Sequence, residues 1–218
     1  MQNYLTNIYR RCLYANYTHV DEDGDFCIHP EGDTLYLLFQ WTHSTSDWIN
    51  NFSFPAKPYK DMGVKWYCHR GFLRVWKAIE PYLKEAVSNQ KYTKIVVAGY
   101  SHGAAIASLC HEYVWFNRPD LRDGGLEGYG FGCPRVFFGW YITKQLRERW
   151  KTFYPIRNAN DIVTHVPPIL LGFRHVNKVL CLPKVPQTKM TWFSPVNAHY
   201  PCNYLAGLSE WDRLQEDN

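Results

Sequence analysis

Gly99-Tyr-Ser-His-Gly103 is the stretch whose residue types and spacing most plainly suit covalent chemistry. Glycines two positions either side of a serine allow a sharp strand-to-helix turn that lifts the serine hydroxyl above the end of a sheet. Both flanks agree. Lys94-Ile-Val-Val-Ala98 reads as a short buried strand, and residues 104–116, rich in small and apolar side chains, read as a helix. The two glycines are required because a Cβ at either would collide where strand and helix cross. The free N–H groups at the helix start point where an oxyanion would form, and that of His102 is the expected donor. The five-residue pattern by itself also arises by chance around an incidental serine. With strand and helix in place, Ser101 is the expected nucleophile.

A serine hydroxyl needs a base, and the base needs a carboxylate to orient it. In hydrolases of the α/β type these follow the serine in the order acid, then histidine. The acids beyond the elbow helix are Asp120, Asp123, Glu127, Glu148 and Asp161. Asp161 is preferred because it follows a strand ending near Arg157, at the carboxyl edge where sites assemble. Asp120 and Asp123 sit in a polar turn that reads as solvated. Three histidines are far enough along the chain to return on a separate loop. His165 is close to Asp161 in sequence, His175 begins a predicted strand, and His199 lies in a loop or first helical turn. Spacing does not choose among them.

The elements that must position these groups alternate. A helix is predicted over residues 2–16, an acidic turn over 21–25, and a short strand over 26–29. Thr34-Leu-Tyr-Leu-Leu-Phe-Gln40 is a continuous apolar run, as expected of a strand buried on both faces. Residues 72–88 repeat apolar side chains at helical spacing. After the elbow come predicted strands at 126–132, 152–157 and 176–182, with helices at 137–150 and 197–208. The pattern implies an α/β layer structure: a mostly parallel central sheet flanked by helices, in one domain spanning residues 1–218.

Composition narrows the class. Hydrophobic residues make up 46% and charged residues 20% of 218, which suits a folded domain of ordinary size. The net charge of +4 is small and its bearers read as scattered, so no nucleic-acid partner is expected. Seven cysteines without C-x-x-C spacing indicate neither a disulfide framework nor a zinc ribbon. Cys27-Ile-His29 and Cys68-His69 lack further ligands at metal spacing, so no metal or cofactor is expected, and buried free thiols are the better reading. Those thiols, with no apolar leader or membrane-spanning run, lead to a cytoplasmic expectation.

Five segments together resemble the class 3 lipase family, which includes the fungal triacylglycerol lipases. They are residues 35–48, His69-Arg-Gly-Phe72, the elbow, Gly130-Phe-Gly-Cys-Pro-Arg-Val136 and Asn160-Asp-Ile-Val-Thr-His-Val-Pro-Pro168. The resemblance extends from about residue 35 to His199-Tyr200, in the family's order. It implies an α/β-hydrolase fold, Asp161 as orienting acid and His199 as general base. It also implies Thr42 as an oxyanion donor beside the His102 N–H, although Gln40-Trp41 stand where the family usually has Arg-Gly. His69 reads as a structural residue beginning the helix packed beside the elbow.

Residues 44–54 correspond to the family's lid. Ser44 or Ser46 can cap a short helix that places Trp48, Ile49 and Phe52 on one face. That face either covers the site and opens at a lipid or membrane surface, or packs permanently as a fixed surface helix. The expected function is a serine esterase or lipase acting on carboxylic, lipid-type esters. The alternatives are a thioesterase or peptidase on the same fold, or a non-catalytic lipid-binding relative.

Overall fold

A computed structural model describes residues 3–20, 24–40, 55–187 and 194–216. Thr42 and the lid residues Trp48, Ile49 and Phe52 lie outside the described residues. The central sheet has seven strands in the order β1 (Thr18–Val20), β2 (Gly24–Glu31), β3 (Thr34–Gln40), β6 (Lys94–Tyr100), β7 (Leu126–Phe131), β9 (Phe153–Arg157) and β11 (Leu180–Cys181). From β3 to β11 every neighbouring pair is parallel, and β1 and β2 add an antiparallel edge.

The apolar runs of β3 and β6 are continuous because each strand is buried on both faces. Leu37, Phe39, Ile95 and Val97 enter one core with α2 (Arg70–Ser88) and α3 (His102–Asn117). Leu38, Val96 and Ala98 alternate into the other core, with α1 (Tyr4–Tyr14) and α6 (Pro201–Glu216). Residues 102–114 of α3 are all buried, as expected of a helix without a polar face. Each large apolar side chain removed from water here, such as Trp76 or Phe72, contributes roughly 1.5–3 kcal/mol.

Four departures from the sequence reading matter for the site. A second, four-stranded antiparallel sheet was not foreseen: β4 (Ala56–Tyr59), β5 (Trp66–His69), β8 (Phe137–Phe138) and β10 (Phe173–Arg174), in the order β10-β8-β5-β4. The predicted helix over 137–150 is reduced to α4 (Lys144–Arg149). Its first residues pair as a strand, and Gly139, at φ +153°, interrupts the path. The strand predicted over 176–182 pairs only through Leu180 and Cys181. Finally, the predicted 197–208 helix is divided into α5 (Ser194–Asn197) and α6, leaving His199 in the connection between them.

Candidate active site

Ser101 links β6 to α3 with φ 58° and ψ −124°, in the left-handed half of backbone space that a serine rarely occupies. The crossing enforces this. A Cβ on Gly99 would lie 2.3 Å from the Gly103 carbonyl oxygen, and one on Gly103 would lie 2.2 Å from that of Phe39. Any side chain at either position would force strand and helix apart. The Ser101 N–H donates to the Phe131 carbonyl at 2.8 Å, which ties the turn to β7.

Asp161 and His199 arrive from the loop after β9 and from the α5–α6 connection. Asp161 caps the single helical turn Ile162–His165, and its Oδ1 accepts from the Val163 N–H at 2.9 Å. Its Oδ2 accepts from the Tyr204 hydroxyl at 2.6 Å and lies 2.8 Å from His199 Nδ1. On the other side of the ring, His199 Nε2 lies 2.8 Å from Ser101 Oγ. A carboxylate only accepts, so Nδ1 carries the proton and Nε2 is left to receive one from the serine. Ser101, His199 and Asp161 are exposed by only 6%, 3% and 0%, which strengthens each of these bonds relative to water.

The histidine loop is held from several directions. Asn158 Nδ2 donates to the Ala198 carbonyl at 2.9 Å, and Asn203 Nδ2 to that of Asn197 at 2.7 Å. The Tyr100 ring stacks on His199 at 5.1 Å and 19°, and its hydroxyl donates to the His199 carbonyl. Gly132, at φ +62°, provides the space for the ring, since a Cβ there would lie 2.7 Å from His199 Cε1. Tyr100, Gly132, Asn158 and Tyr204 were not singled out from sequence. Gly132 lies within the Gly130–Val136 segment, but Tyr204 reads as an ordinary apolar position of a helix.

Tyr100→Phe keeps the stack and removes one hydrogen bond, worth about 1 kcal/mol. The expected result is a kcat about fivefold lower on a soluble ester with KM unchanged, because the hydroxyl that is removed holds the His199 carbonyl. A change confined to KM would contradict this role.

The other sequence candidates are engaged elsewhere. His175 Nε2 pairs with the Thr164 carbonyl at 2.8 Å, and burial pushes its pKa down to about 4. His165 lies 3.4 Å from Arg157, and burial with the nearby Arg135 and Arg157 lowers its pKa. Asp120 binds Arg118 at 2.7 Å, Glu127 binds Lys94 at 2.6 Å, and Asp123 and Glu148 are exposed. His69 Nδ1 accepts from the Phe72 N–H at 3.4 Å, capping α2. The His102 side chain is buried against Phe72, and burial pushes its pKa down to about 3, which favours the neutral imidazole next to Ser101. Its backbone N–H opens the first turn of α3, where no carbonyl of the helix can accept it.

A serine on a strained strand-to-helix turn, backed by a histidine and an aspartate from successive carboxyl-edge loops of a mostly parallel sheet, is the arrangement of an α/β-hydrolase. The Lipase (class 3) family model matches residues 36–171, and the chain belongs to that family. A secreted mono- and diacylglycerol lipase of Fusarium solani is 34% identical over 140 residues, covering 60% of this chain and 38% of the relative. A Rhizopus niveus lipase is 31% identical over 163 residues, covering 71% and 40%. The Rhizomucor miehei triacylglyceride lipase structure superposes with a TM-score of 0.62 at 26% identity, covering 74% of this chain and 63% of that one. The chain thus spans about two fifths of the length of these two curated relatives.

The cytoplasmic expectation is overturned by relatives named as secreted lipases. The thiols were a poor guide to compartment for a physical reason. Cys12, Cys68, Cys110 and Cys133 are buried, and burial raises their pKa, so free thiols at these positions do not report a compartment; Cys27 and Cys202, by contrast, are half-buried and Cys181 is exposed.

Proposed function

We propose that this chain, acting as one domain over residues 1–218, hydrolyses carboxylic esters of lipids through an acyl-enzyme on Ser101. The observation that carries the reading is the continuous relay Ser101 Oγ–His199 Nε2 and His199 Nδ1–Asp161 Oδ2, 2.8 Å at each step. In this scheme His199 takes the Ser101 proton as the hydroxyl attacks the ester carbonyl. Asp161 stabilises the imidazolium that results. The His102 N–H and Thr42 hold the oxyanion. In support of Thr42, the end of β3 runs directly against the elbow, with the Phe39 carbonyl beside Gly103. The imidazolium then protonates the departing alcohol, and a water deprotonated by the same ring releases the acid.

Trp48, Ile49 and Phe52 would serve as a lid whose apolar face covers the acyl site and opens at a lipid surface. The lipid preference draws on the relatives' names, which specify mono-, di- and triacylglycerol-type substrates for those proteins. A fluorophosphonate probe tests the nucleophile. The parent chain is expected to label and Ser101→Ala to remain unlabelled while unfolding at the same temperature. A panel of fatty-acyl esters of graded chain length then tests the substrate class. Labelling that survives Ser101→Ala, or labelling with no turnover of any ester in the panel, would defeat the proposal.

A further inference from the structure

Six large apolar side chains stand in water on two segments that are bound together. Phe138, Trp140 and Tyr141 are 36%, 76% and 73% exposed, and Ile169, Leu170 and Leu171 are 46%, 88% and 49% exposed. The Gly139 N–H donates to the Gly172 carbonyl at 2.9 Å, and Arg174 Nε donates to the Gly139 carbonyl at 3.1 Å. The Phe138 ring closes over Gly172. Ile169–Leu171 form one helical turn that ends at Gly172 with φ +86°, and Leu170 is its outermost side chain. Nothing in the fold of such a turn requires three aliphatic residues, and polar ones would sit there at no cost in packing.

The net charge of +4 conceals a segregation around this patch. Residues 134–187 hold nine Lys and Arg, of which Arg149 is buried against Glu112, and two acids, Glu148 and the buried Asp161, while the rest of the chain holds fifteen against eighteen. Arg147, Arg174 and Lys178 line a recess of about 360 Å³ together with Trp140, Tyr141 and Ile142. We infer that this patch docks the protein on an anionic lipid surface, by a contact separate from residues 44–54. Trp140 and Tyr141 rest at headgroup level, Leu170 dips below them, and the surrounding cations meet lipid phosphates. A nucleic acid would also attract the cations, but it offers nothing to an aliphatic turn. The patch is tied to the relay: the turn begins eight residues after Asp161, and Arg135 clamps the intervening segment through the His165 and Pro167 carbonyls. That the docked lipid is also the substrate phase rests on the ester-hydrolase reading; the docking itself does not.

Sedimentation with vesicles of phosphatidylcholine alone, or mixed with phosphatidylglycerol, tests the inference without any catalytic step. Binding is expected to be at least about tenfold tighter to the mixed vesicles and to weaken with added salt. Trp140→Ser with Leu170→Ser is expected to weaken it by about tenfold or more, and Arg147→Gln with Lys178→Gln to weaken binding to the anionic vesicles alone. Both pairs involve exposed groups, and an unchanged unfolding midpoint checks that the fold is intact. No binding by the parent, equal binding by the first pair, or a parent dimer that this pair dissociates would each overturn the inference. Loss of ester hydrolysis with vesicle binding retained would count against the catalytic reading alone.

Discussion

Asp161→Asn is expected to lower kcat on a soluble short-chain ester by about 10⁴-fold while leaving the fold in place. The size follows from the hydrogen bonds around the carboxylate. Oδ1 accepts from the Val163 N–H, and Oδ2 accepts from Tyr204 and faces His199 Nδ1. An asparagine must place its NH₂ at one of the two positions. Against Val163 it would set two donors face to face in a buried site. At the Oδ2 position every group finds a partner: the Tyr204 hydroxyl rotates to accept, and His199 Nδ1 accepts in place of donating. The satisfied arrangement is therefore the inactive one. It moves the imidazole proton to Nε2, where it faces Ser101 and cannot receive the serine proton. Steady-state kinetics beside a thermal unfolding curve check this, and a loss below about tenfold in a folded variant would show that Asp161 does not set the tautomer.

Arg149→Met should produce the largest change in stability, about 3–5 kcal/mol at pH 8. Glu112, on the elbow helix α3, is wholly buried, with its Oε1 at 2.6 Å from Arg149 and its Oε2 accepting from Trp66 at 3.2 Å. Burial pushes the Glu112 carboxyl up to about 7, opposed by the Arg149 guanidinium and the Trp66 N–H. An acid whose pKa is higher folded than unfolded holds its proton more tightly in the native state. Glu112 therefore takes stability away as pH rises from about 4.5 to about 7. Without Arg149 its carboxyl is pushed higher still, so the penalty extends further up the pH scale. Urea unfolding should show a wide gap between parent and variant at pH 8 and a narrower one at pH 5, where the carboxyl is neutral. Glu112→Leu combined with Arg149→Met should recover much of the loss, because no buried charge is then left without a partner. An equal gap at both pH values would mean that Glu112 is not the group responsible.

Both effects depend on partners far apart in the chain, and this separates what was legible from what was not. Ser101 could be read because a nucleophile elbow is a local device. Its strand, turn and helix occupy one continuous stretch, and Gly99 answers to a collision four residues away, although Gly103 answers to Phe39 on the neighbouring strand. β3, β6 and α2 were legible for the same reason, since burial on both faces leaves a continuous apolar run in a strand and burial on one face leaves a helical period in α2. Asp161 followed from its place after β9. The second sheet escaped because strands as short as Phe137–Phe138 and Phe173–Arg174 carry no period of their own, and only pairing across the chain defines them.

The sequence by itself singled out Ser101 as the candidate nucleophile, the buried strands beneath it and the set of residues from which an acid and a base could come. Spacing left His165, His175 and His199 open and the family resemblance pointed to His199; the tertiary structure sets His199 between Ser101 and Asp161. The three differ little in local sequence, and what distinguishes them is long-range: Asn158, Tyr100 and Asn203 hold the loop that presents His199, while the Thr164 carbonyl and Arg157 engage the other two. An imidazole becomes a base through the neighbours that orient its ring and fix its proton, and here those neighbours are brought together only by folding.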